Sequence, residues 1–450
     1  MEDAKNFMNE TITTEKRRQY IIHGGHRLNG EVCVSGAKNA ATKQLVATLL
    51  ADSPVILHNV PDIGDVQVTL EMLRDLGAQA TFNQGTVTVD ARGLKTSKVA
   101  EAIHRKNRIP ILLFGPLLHK FGEATIPALG GCKIGARPVG FHVDALRKMG
   151  AEIESEGGSY VARTKGLKGA VIELPFPSVG ATENILLAAV KAKGTTVIKN
   201  AAIEPEILDL AVLLQAMGAI INLDVNRTWV IEGVESLHSA EHRIIPDRMV
   251  AASFLIAGAL TRGNVFVRDA RQTDLLSFLN VLRRVGVPFQ ILRDGIRVLG
   301  EDIKGPLNPI ALETDVHPGF MTDWQQPFVM LLTQAEGVSI VHETVYEDRF
   351  GYTEVLVKMG AKIQLHRECL GSKPCRFVDH DYRHSAVIVG PTPLKGAEIE
   401  IPDLRAGFSY LIAALIAQGS TRLSGVEQIE RGYEDIIGKL KALGAEIEVV

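Results

Sequence analysis

A helix that closes on glycine, with alanine or valine next, recurs six times along this chain. The six glycines are Gly77, Gly150, Gly218, Gly286, Gly360 and Gly444, spaced by 73, 68, 68, 74 and 84 residues. Each ends a helical stretch such as Met72-Leu73-Arg74-Asp75-Leu76 or Leu146-Arg147-Lys148-Met149. Glycine at that position accepts the left-handed backbone that stops a helix. A short alternating segment follows, clearest in Ala445-Glu446-Ile447-Glu448-Val449, and reads as a strand. Upstream, each copy carries a second helix of small and apolar residues that leads into another strand. Ala188-Ala189-Val190 leads to Thr196-Val197-Ile198, and Ala257-Gly258-Ala259-Leu260 to Val265-Phe266-Val267. The second copy, Ile111-Leu112-Leu113-Phe114 then Ala124-Thr125-Ile126, fits more loosely.

Each unit is therefore helix, strand, loop, helix, strand, and its apolar helix has few charges, as suits a helix buried on most sides. One unit cannot bury such a helix, whereas three packed together share a core. At 450 residues the chain exceeds one ordinary core, so six units divide as three plus three. The fold class is α/β. Net charge is only −3, with 46% hydrophobic and 22% charged residues, which leaves no footprint for nucleic acid or an anionic membrane. The four cysteines, Cys33, Cys132, Cys369 and Cys375, are too scattered for a disulfide framework. Met1 to Tyr20 is polar, without the apolar run of a signal peptide, and is read as a flexible tail. The expectation is a cytoplasmic protein, with no membrane partner and no nucleic-acid partner.

Chemistry concentrates in Pro127-Ala128-Leu129-Gly130-Gly131-Cys132-Lys133-Ile134-Gly135-Ala136-Arg137-Pro138, the strand-to-helix loop of the second unit. Its glycines permit a shaped turn, and its cations lower a neighbouring thiol's pKa toward neutrality. A lone cysteine in a tight turn is also commonly buried and inert. The equivalent loops hold Asn59-Val60-Pro61-Asp62, Glu204-Pro205-Glu206, Glu347-Asp348-Arg349 and Glu430-Arg431-Gly432-Tyr433-Glu434. Polar loops at matching positions are natural walls for a cleft, and also ordinary solvated turns. Lys38, just after Ser35-Gly36, stands at the expected start of a helix, where the dipole favours an anion.

These motifs resemble the enolpyruvyl transferases, from about His23 to the C-terminus. The pieces that carry the resemblance are Leu28-Asn29-Gly30, Ser35-Gly36-Ala37-Lys38-Asn39-Ala40-Ala41, the Cys132 loop, Ser178-Val179-Gly180-Ala181-Thr182-Glu183-Asn184, Asp403-Leu404-Arg405-Ala406-Gly407 and Arg431-Gly432-Tyr433-Glu434. The resemblance implies two inside-out α/β domains, each of three pseudo-symmetric repeats with helices inside and sheets outside. It places residues 38–245 in one domain, and 1–37 with 246–450 in the other. The crossovers then fall near Gly36 to Lys38 and His242 to Asp247.

The implied reaction moves the enolpyruvyl group of phosphoenolpyruvate to the 3-hydroxyl of UDP-N-acetylglucosamine and releases phosphate. By resemblance, Lys38, Asn39, Arg137, Arg405 and Arg431 hold phosphoenolpyruvate. Cys132 donates a proton, and Asp323 takes one from the sugar hydroxyl. Arg108, Pro138, Val139, Gly140, Phe141, His142, Ser178, Val179, Gly180 and the backbone near Val345 face the nucleotide sugar. Glu347 either stabilises a cationic intermediate or pairs with Arg349. The chain departs from a common family pattern at Leu129, at Gly140-Phe141 and at Phe176-Pro177 before Ser178. Shikimate 3-phosphate, another nucleotide sugar, or a non-catalytic sugar-nucleotide binder are the rival readings. No dinucleotide or P-loop fingerprint follows a strand, so no cofactor is expected. A monomer is expected. Cys369, Cys375, His380 and His384 have ligand-type side chains, yet Lys373-Pro374 and Asp381-Tyr382-Arg383 make the segment read as a polar surface hairpin without metal.

Overall fold

The computed structural model describes residues 18–101, 107–127, 139–372 and 375–450. The six units run in order. The first three hold α1 (Lys38–Ala47) and α2 (Gly64–Asp75), α3 (Phe114–Phe121) and α4 (Gly140–Lys148), and α5 (Val179–Ala189) and α6 (Pro205–Ala216). The last three hold α7 (Arg248–Leu260) and α8 (Leu276–Val285), α9 (Thr322–Leu332) and α10 (Thr353–Lys358), then α11 (Leu404–Ile416) with α12 (Glu427–Glu430) and α13 (Ile436–Ala442). All six repeat glycines have positive φ, between 93° and 113°, a region where a β-carbon meets the following carbonyl. The earlier helix of each unit is the buried one. In α7 every residue from Arg248 to Ala259 is buried, and α5 is buried from Ala181 to Ala189. The later helices are amphipathic instead: α8 buries Phe278, Leu279, Val281, Leu282 and Val285 and exposes its opposite face.

Each unit also lays down one small sheet, with strands that alternate buried and exposed residues. In the first unit the order is Glu241–Arg243, Val55–His58, Thr86–Asp90, Gln79–Asn83, with the outermost pair parallel. The sixth sheet reads Glu398–Glu400, Ser420–Ser424, Tyr20–His23, Glu446–Val449. Here the N-terminal strand fills the place that a hairpin's return strand occupies elsewhere, and Tyr20, expected to end a flexible tail, is instead buried between Leu423 and Val449 because both its strand edges are paired. Asn29–Cys33 likewise supplies the parallel edge of the fourth sheet. Helices lie inside and sheets outside, as the resemblance implies.

The buried apolar residues form two clusters. One runs from Ala37 to Ile245; the other joins Tyr20–Val34 to Met249–Ile447. Two chain passages link them and are bonded to each other. Gly36 bridges Pro246, the Ala37 N–H donates to the Ile245 carbonyl at 2.7 Å, and the Asp247 N–H to the Ser35 carbonyl at 2.9 Å. Asp247 is buried there and caps two helices at once. Its Oδ1 accepts from the N–H groups of Met249 and Val250, at 2.8 and 3.2 Å, and its Oδ2 from that of Lys38 at 3.1 Å. One carboxylate so covers donors at the starts of both α7 and α1, which otherwise lack partners. Among the described residues, no helix is long and apolar enough to cross a membrane.

Candidate functional site

Lys38 is the first residue of α1, and Asn39 follows it. The Lys38 ammonium lies 2.8 Å from Asp65 Oδ2. Asp65 sits in the first turn of α2, and its other oxygen takes two bonds from Arg431, from Nε and Nη2, both at 3.1 Å. Burial alone would raise the Asp65 pKa, but the charges and hydrogen bonds of Lys38 and Arg431 outweigh it and hold the carboxyl low. A carboxylate of the first cluster thus brings together two of the expected anion-binding cations, which are 393 positions apart. The loop bearing Arg431 is tied to the same wall again, because Glu434 accepts the Asp62 N–H at 2.7 Å.

The network continues from Asp247 into Arg248. Arg248 makes a two-pronged bond with Glu206, both prongs 2.9 Å, and both side chains are buried. Burial alone would raise the Glu206 pKa, but the Arg248 charge and the hydrogen bonds together outweigh it and hold the carboxyl below the usual range. The Arg248 guanidinium lies 5.5 Å from the centre of the Trp324 ring. Trp324 is next to Asp323, the second residue of α9, whose Oδ1 accepts from Arg349 Nη2 at 2.6 Å. Lys38, Arg431 and Asp323 therefore stand on one chain of contacts. Beneath Asp323, the buried Glu343 carboxylate accepts from Thr322 Oγ1 at 2.9 Å and from the N–H groups of Val345 and Tyr346 at 2.9 and 3.0 Å. It fixes the start of α9 and the Val345 loop together.

A second group gathers around His142. Val139 caps α4, Gly140 and Phe141 open it, and His142 is buried within its first turn. Asn184 Nδ2 donates to His142 Nδ1 at 3.1 Å. A β-carbon on Gly180 would stand 3.3 Å from the His142 ring, so the backbone of α5 passes close to it. Ser178 caps α5 by accepting the Ala181 N–H at 3.4 Å. Burial, then the charge of Arg108, push the His142 pKa down to about 4. Further along α5, burial pushes the Glu183 carboxyl up to about 7, against the pull of Lys43. A groove of about 390 Å³ includes Phe141, Asp144 and Leu174 but none of the cations around Lys38.

Several expectations change. Arg349 pairs with Asp323, whereas Glu347 lies 3.9 Å from Arg376. The side chain that pairs with Arg349 is thus the expected base on the neighbouring helix, at 2.6 Å. The Val345 carbonyl is occupied by Arg376, whose guanidinium also lies 4.3 Å from the centre of the Phe176 ring. The segment read as a polar surface hairpin buries Cys375 and His384, and His380 alone of the four ligand-type residues is fully exposed. Cys132, Arg137 and Pro138 lie outside the described residues, and so does the side chain of Arg405, the second residue of α11. Sequence reasoning missed Asp65, Asp247, Arg248 and Glu343 as site residues, and had Glu206 only as part of a polar loop. Glu183 had a signal as well, since it falls within the Ser178–Asn184 motif.

The family model for EPSP synthase (3-phosphoshikimate 1-carboxyvinyltransferase) matches residues 22–440. The chain belongs to this family. Within it, the chain is 52% identical over 438 residues to the UDP-N-acetylglucosamine 1-carboxyvinyltransferase of Protochlamydia amoebophila, covering 95% of this chain and 94% of that one. It is 48% identical over 433 residues to the enzyme of the same name from Chlamydia pneumoniae, covering 95% and 94%. Among solved structures, the enolpyruvyl transferase NikO from Streptomyces tendae superposes with a TM-score of 0.85 at 26% identity, covering 96% of this chain and 99% of NikO. The family's two-part architecture of inward helices is the one described above.

Proposed function

We propose that this chain transfers the enolpyruvyl group of phosphoenolpyruvate to the 3-hydroxyl of UDP-N-acetylglucosamine, releasing phosphate. The observation that carries the choice of acceptor is the 52% identity, over 95% of the chain, with a relative named for that activity. Such a reaction supplies precursors of peptidoglycan, in the cytoplasm. On this reading residues 38–245 form one domain, residues 1–37 and 246–450 the other, and the site lies between them in a monomer.

The chemistry runs as addition then elimination. The sugar oxygen bonds to C2 of phosphoenolpyruvate while a proton goes to its methylene carbon. That added methyl then loses a proton as the C–O bond to phosphate breaks. Asp323 accepts the hydroxyl proton, held in place by Arg349, and Cys132 supplies the proton to carbon. Lys38, Asn39, Arg137, Arg405 and Arg431 hold the phosphate and carboxylate. These groups need fixed positive charge once water is excluded. Support for this comes from the Lys38–Asp65–Arg431 bridge, which holds two of the cations in place before any ligand arrives. Arg108, Pro138, Val139, Gly140, Phe141, His142, Ser178, Val179, Gly180 and Val345 receive the nucleotide sugar. The close approach of Gly180 to His142, at the starts of α5 and α4, supports that assignment.

The test is phosphate release from phosphoenolpyruvate with each acceptor in turn. Release is expected with UDP-N-acetylglucosamine. Release only with shikimate 3-phosphate overturns the acceptor, and release with neither favours a binding protein. In addition, a phosphoenolpyruvate-mimicking epoxide should label Cys132; an unlabelled thiol in an active enzyme would remove it as proton donor.

A further inference from the structure

In the first four units, the strands after the second helix are joined by two or three residues: 84–85, 157–158, 225–227 and 293–294. In the fifth unit the same connection spans residues 367–384. A connection of that length inside a compact fold is uncommon without something to organise it. This one buries Cys375, Phe377 and His384.

Four ligand-type side chains converge at its base. Donor atoms of His342, Cys369, Cys375 and His384 all lie within 4.8 Å of one another. Cys369 Sγ is 3.3 Å from His384 Nε2. The other nitrogen of that ring, Nδ1, is 2.8 Å from the Tyr382 carbonyl. A carbonyl only accepts, so Nδ1 carries the hydrogen and Nε2 turns its lone pair toward the cluster. Cys375 Sγ accepts the Phe377 N–H at 3.4 Å. His342, at the end of the strand Gly337–His342, is completely buried; its Nδ1 lies 3.8 Å from Glu313 Oε2, beyond hydrogen-bond distance, and neither ring nitrogen has a hydrogen-bond partner. A buried polar group without a partner calls for one. The loop backbone crosses this ring at Gly371, where a β-carbon would come within 2.0 Å of Nδ1.

We propose that His342, Cys369, Cys375 and His384 bind one zinc ion with a structural role. Zn–S bonds of about 2.3 Å and Zn–N bonds of about 2.0–2.1 Å set tetrahedral donors about 3.3–3.8 Å apart. The Cys369–His384 pair is already at that separation, and the others close on the ion by about 1 Å or less. Two thiolates neutralise the dication, which suits a buried position, and four protein ligands leave no site open for catalysis. The ligands pin the loop near its start, in its middle and at its end to the strand carrying His342. Arg376, which follows the ligand Cys375, then lies over Phe176 and bonds the Val345 carbonyl. The ion so fixes a loop that reaches from the second apolar cluster to the approach to Ser178. This inference does not depend on which acceptor the enzyme uses.

The test uses the full chain, purified with a thiol reductant and without chelator. Elemental analysis should find about one zinc per chain. After chelation, titration with cobalt(II) should give the intense visible bands of a tetrahedral site, with sulfur-to-cobalt charge transfer in the near ultraviolet. Cys369→Ser/Cys375→Ser should lose both signals, while Cys33→Ser/Cys132→Ser keeps them. Because the first variant could fail to fold, limited proteolysis of the unmutated protein is the companion measurement. Chelator should speed cleavage within residues 367–384, and added zinc should reverse it. Zinc far below one per chain after incubation with the metal, signals that follow Cys33 and Cys132, or cleavage indifferent to chelator would overturn the proposal.

Discussion

At their C-terminal ends the inner helices carry Val46-Ala47, Ala188-Ala189, Ala259-Leu260 and Leu331-Leu332, almost all completely buried. At their starts the helices carry Lys38, Asp65, Glu206, Arg248 and Asp323, also largely buried, but charged. Both ends lie inside the protein, and they solve different problems. The C-terminal ends hand the chain on to a strand, so small side chains and close backbone approach suffice. The N-terminal ends expose N–H groups that lack intrahelical partners and bear the positive end of the dipole. They are where an anionic ligand can be held by the fold itself. The charged side chains there pair with one another across the two apolar clusters, so the same contacts that join the clusters also build the anion site.

Breaking the charged end should cost most. Asp323→Asn is expected to lower kcat by about 10²–10⁴-fold, the usual range for a lost general base. Arg349 loses its charged partner, so stability should also fall by about 1–3 kcal/mol, measurable by denaturant unfolding. Next comes Arg248→Met, which strands the buried Glu206 carboxylate. A loss of about 3–5 kcal/mol is expected, and Arg248→Met combined with Glu206→Leu should recover much of it.

The third test uses pH. His142 has a folded pKa of about 4, set by burial and then Arg108, against about 6.5 when unfolded. Its contribution is complete above pH 6.5 and is lost as pH falls toward 4, by up to about 3 kcal/mol. Glu183, raised to about 7 by burial, acts with the opposite sign, since its contribution is lost as pH rises from 4.5 through 7. The measurement is therefore the difference in unfolding free energy between wild type and His142→Gln across pH 4–7. It should shrink steadily toward low pH; a constant difference would remove His142 as the cause. The smallest effect is expected at the apolar end. A β-carbon on Gly115 would stand 2.9 Å from the backbone of Leu187 and Ala188. Gly115→Ala should cost about 1–3 kcal/mol through overpacking, with KM for phosphoenolpyruvate unchanged.

The C-terminal ends, of the later helices as of the inner ones, were the more legible in sequence. Gly77, Gly150, Gly218, Gly286, Gly360 and Gly444 each stop a helix for a local reason, and a local reason leaves a local pattern. The charged end was legible only where a motif carried it, as at Lys38 and Arg431. Asp65 looks like any first-turn acid until Arg431 folds onto it, and the two-pronged partner of Arg248 is Glu206, 42 positions away. The ligand cluster shows the same limit. Cys369, Cys375 and His384 were visible as neighbours, but His342 lies 27 positions before Cys369, inside a strand whose pattern reads as core. Strand pairing, with His342 opposite Ser385, is what brings it beside His384.

The most direct test of the account is a double-mutant cycle on Lys38 and Arg431, one from each apolar cluster, read as kcat/KM for phosphoenolpyruvate. If both hold one ligand through a shared Asp65, each methionine substitution should cost about 10–200-fold, as for a lost charged hydrogen bond. The double variant should then fall short of the product by at least about 1 kcal/mol of coupling. Additivity within about 0.5 kcal/mol, or single losses of less than about twofold, would contradict a site built from the helix starts of both clusters.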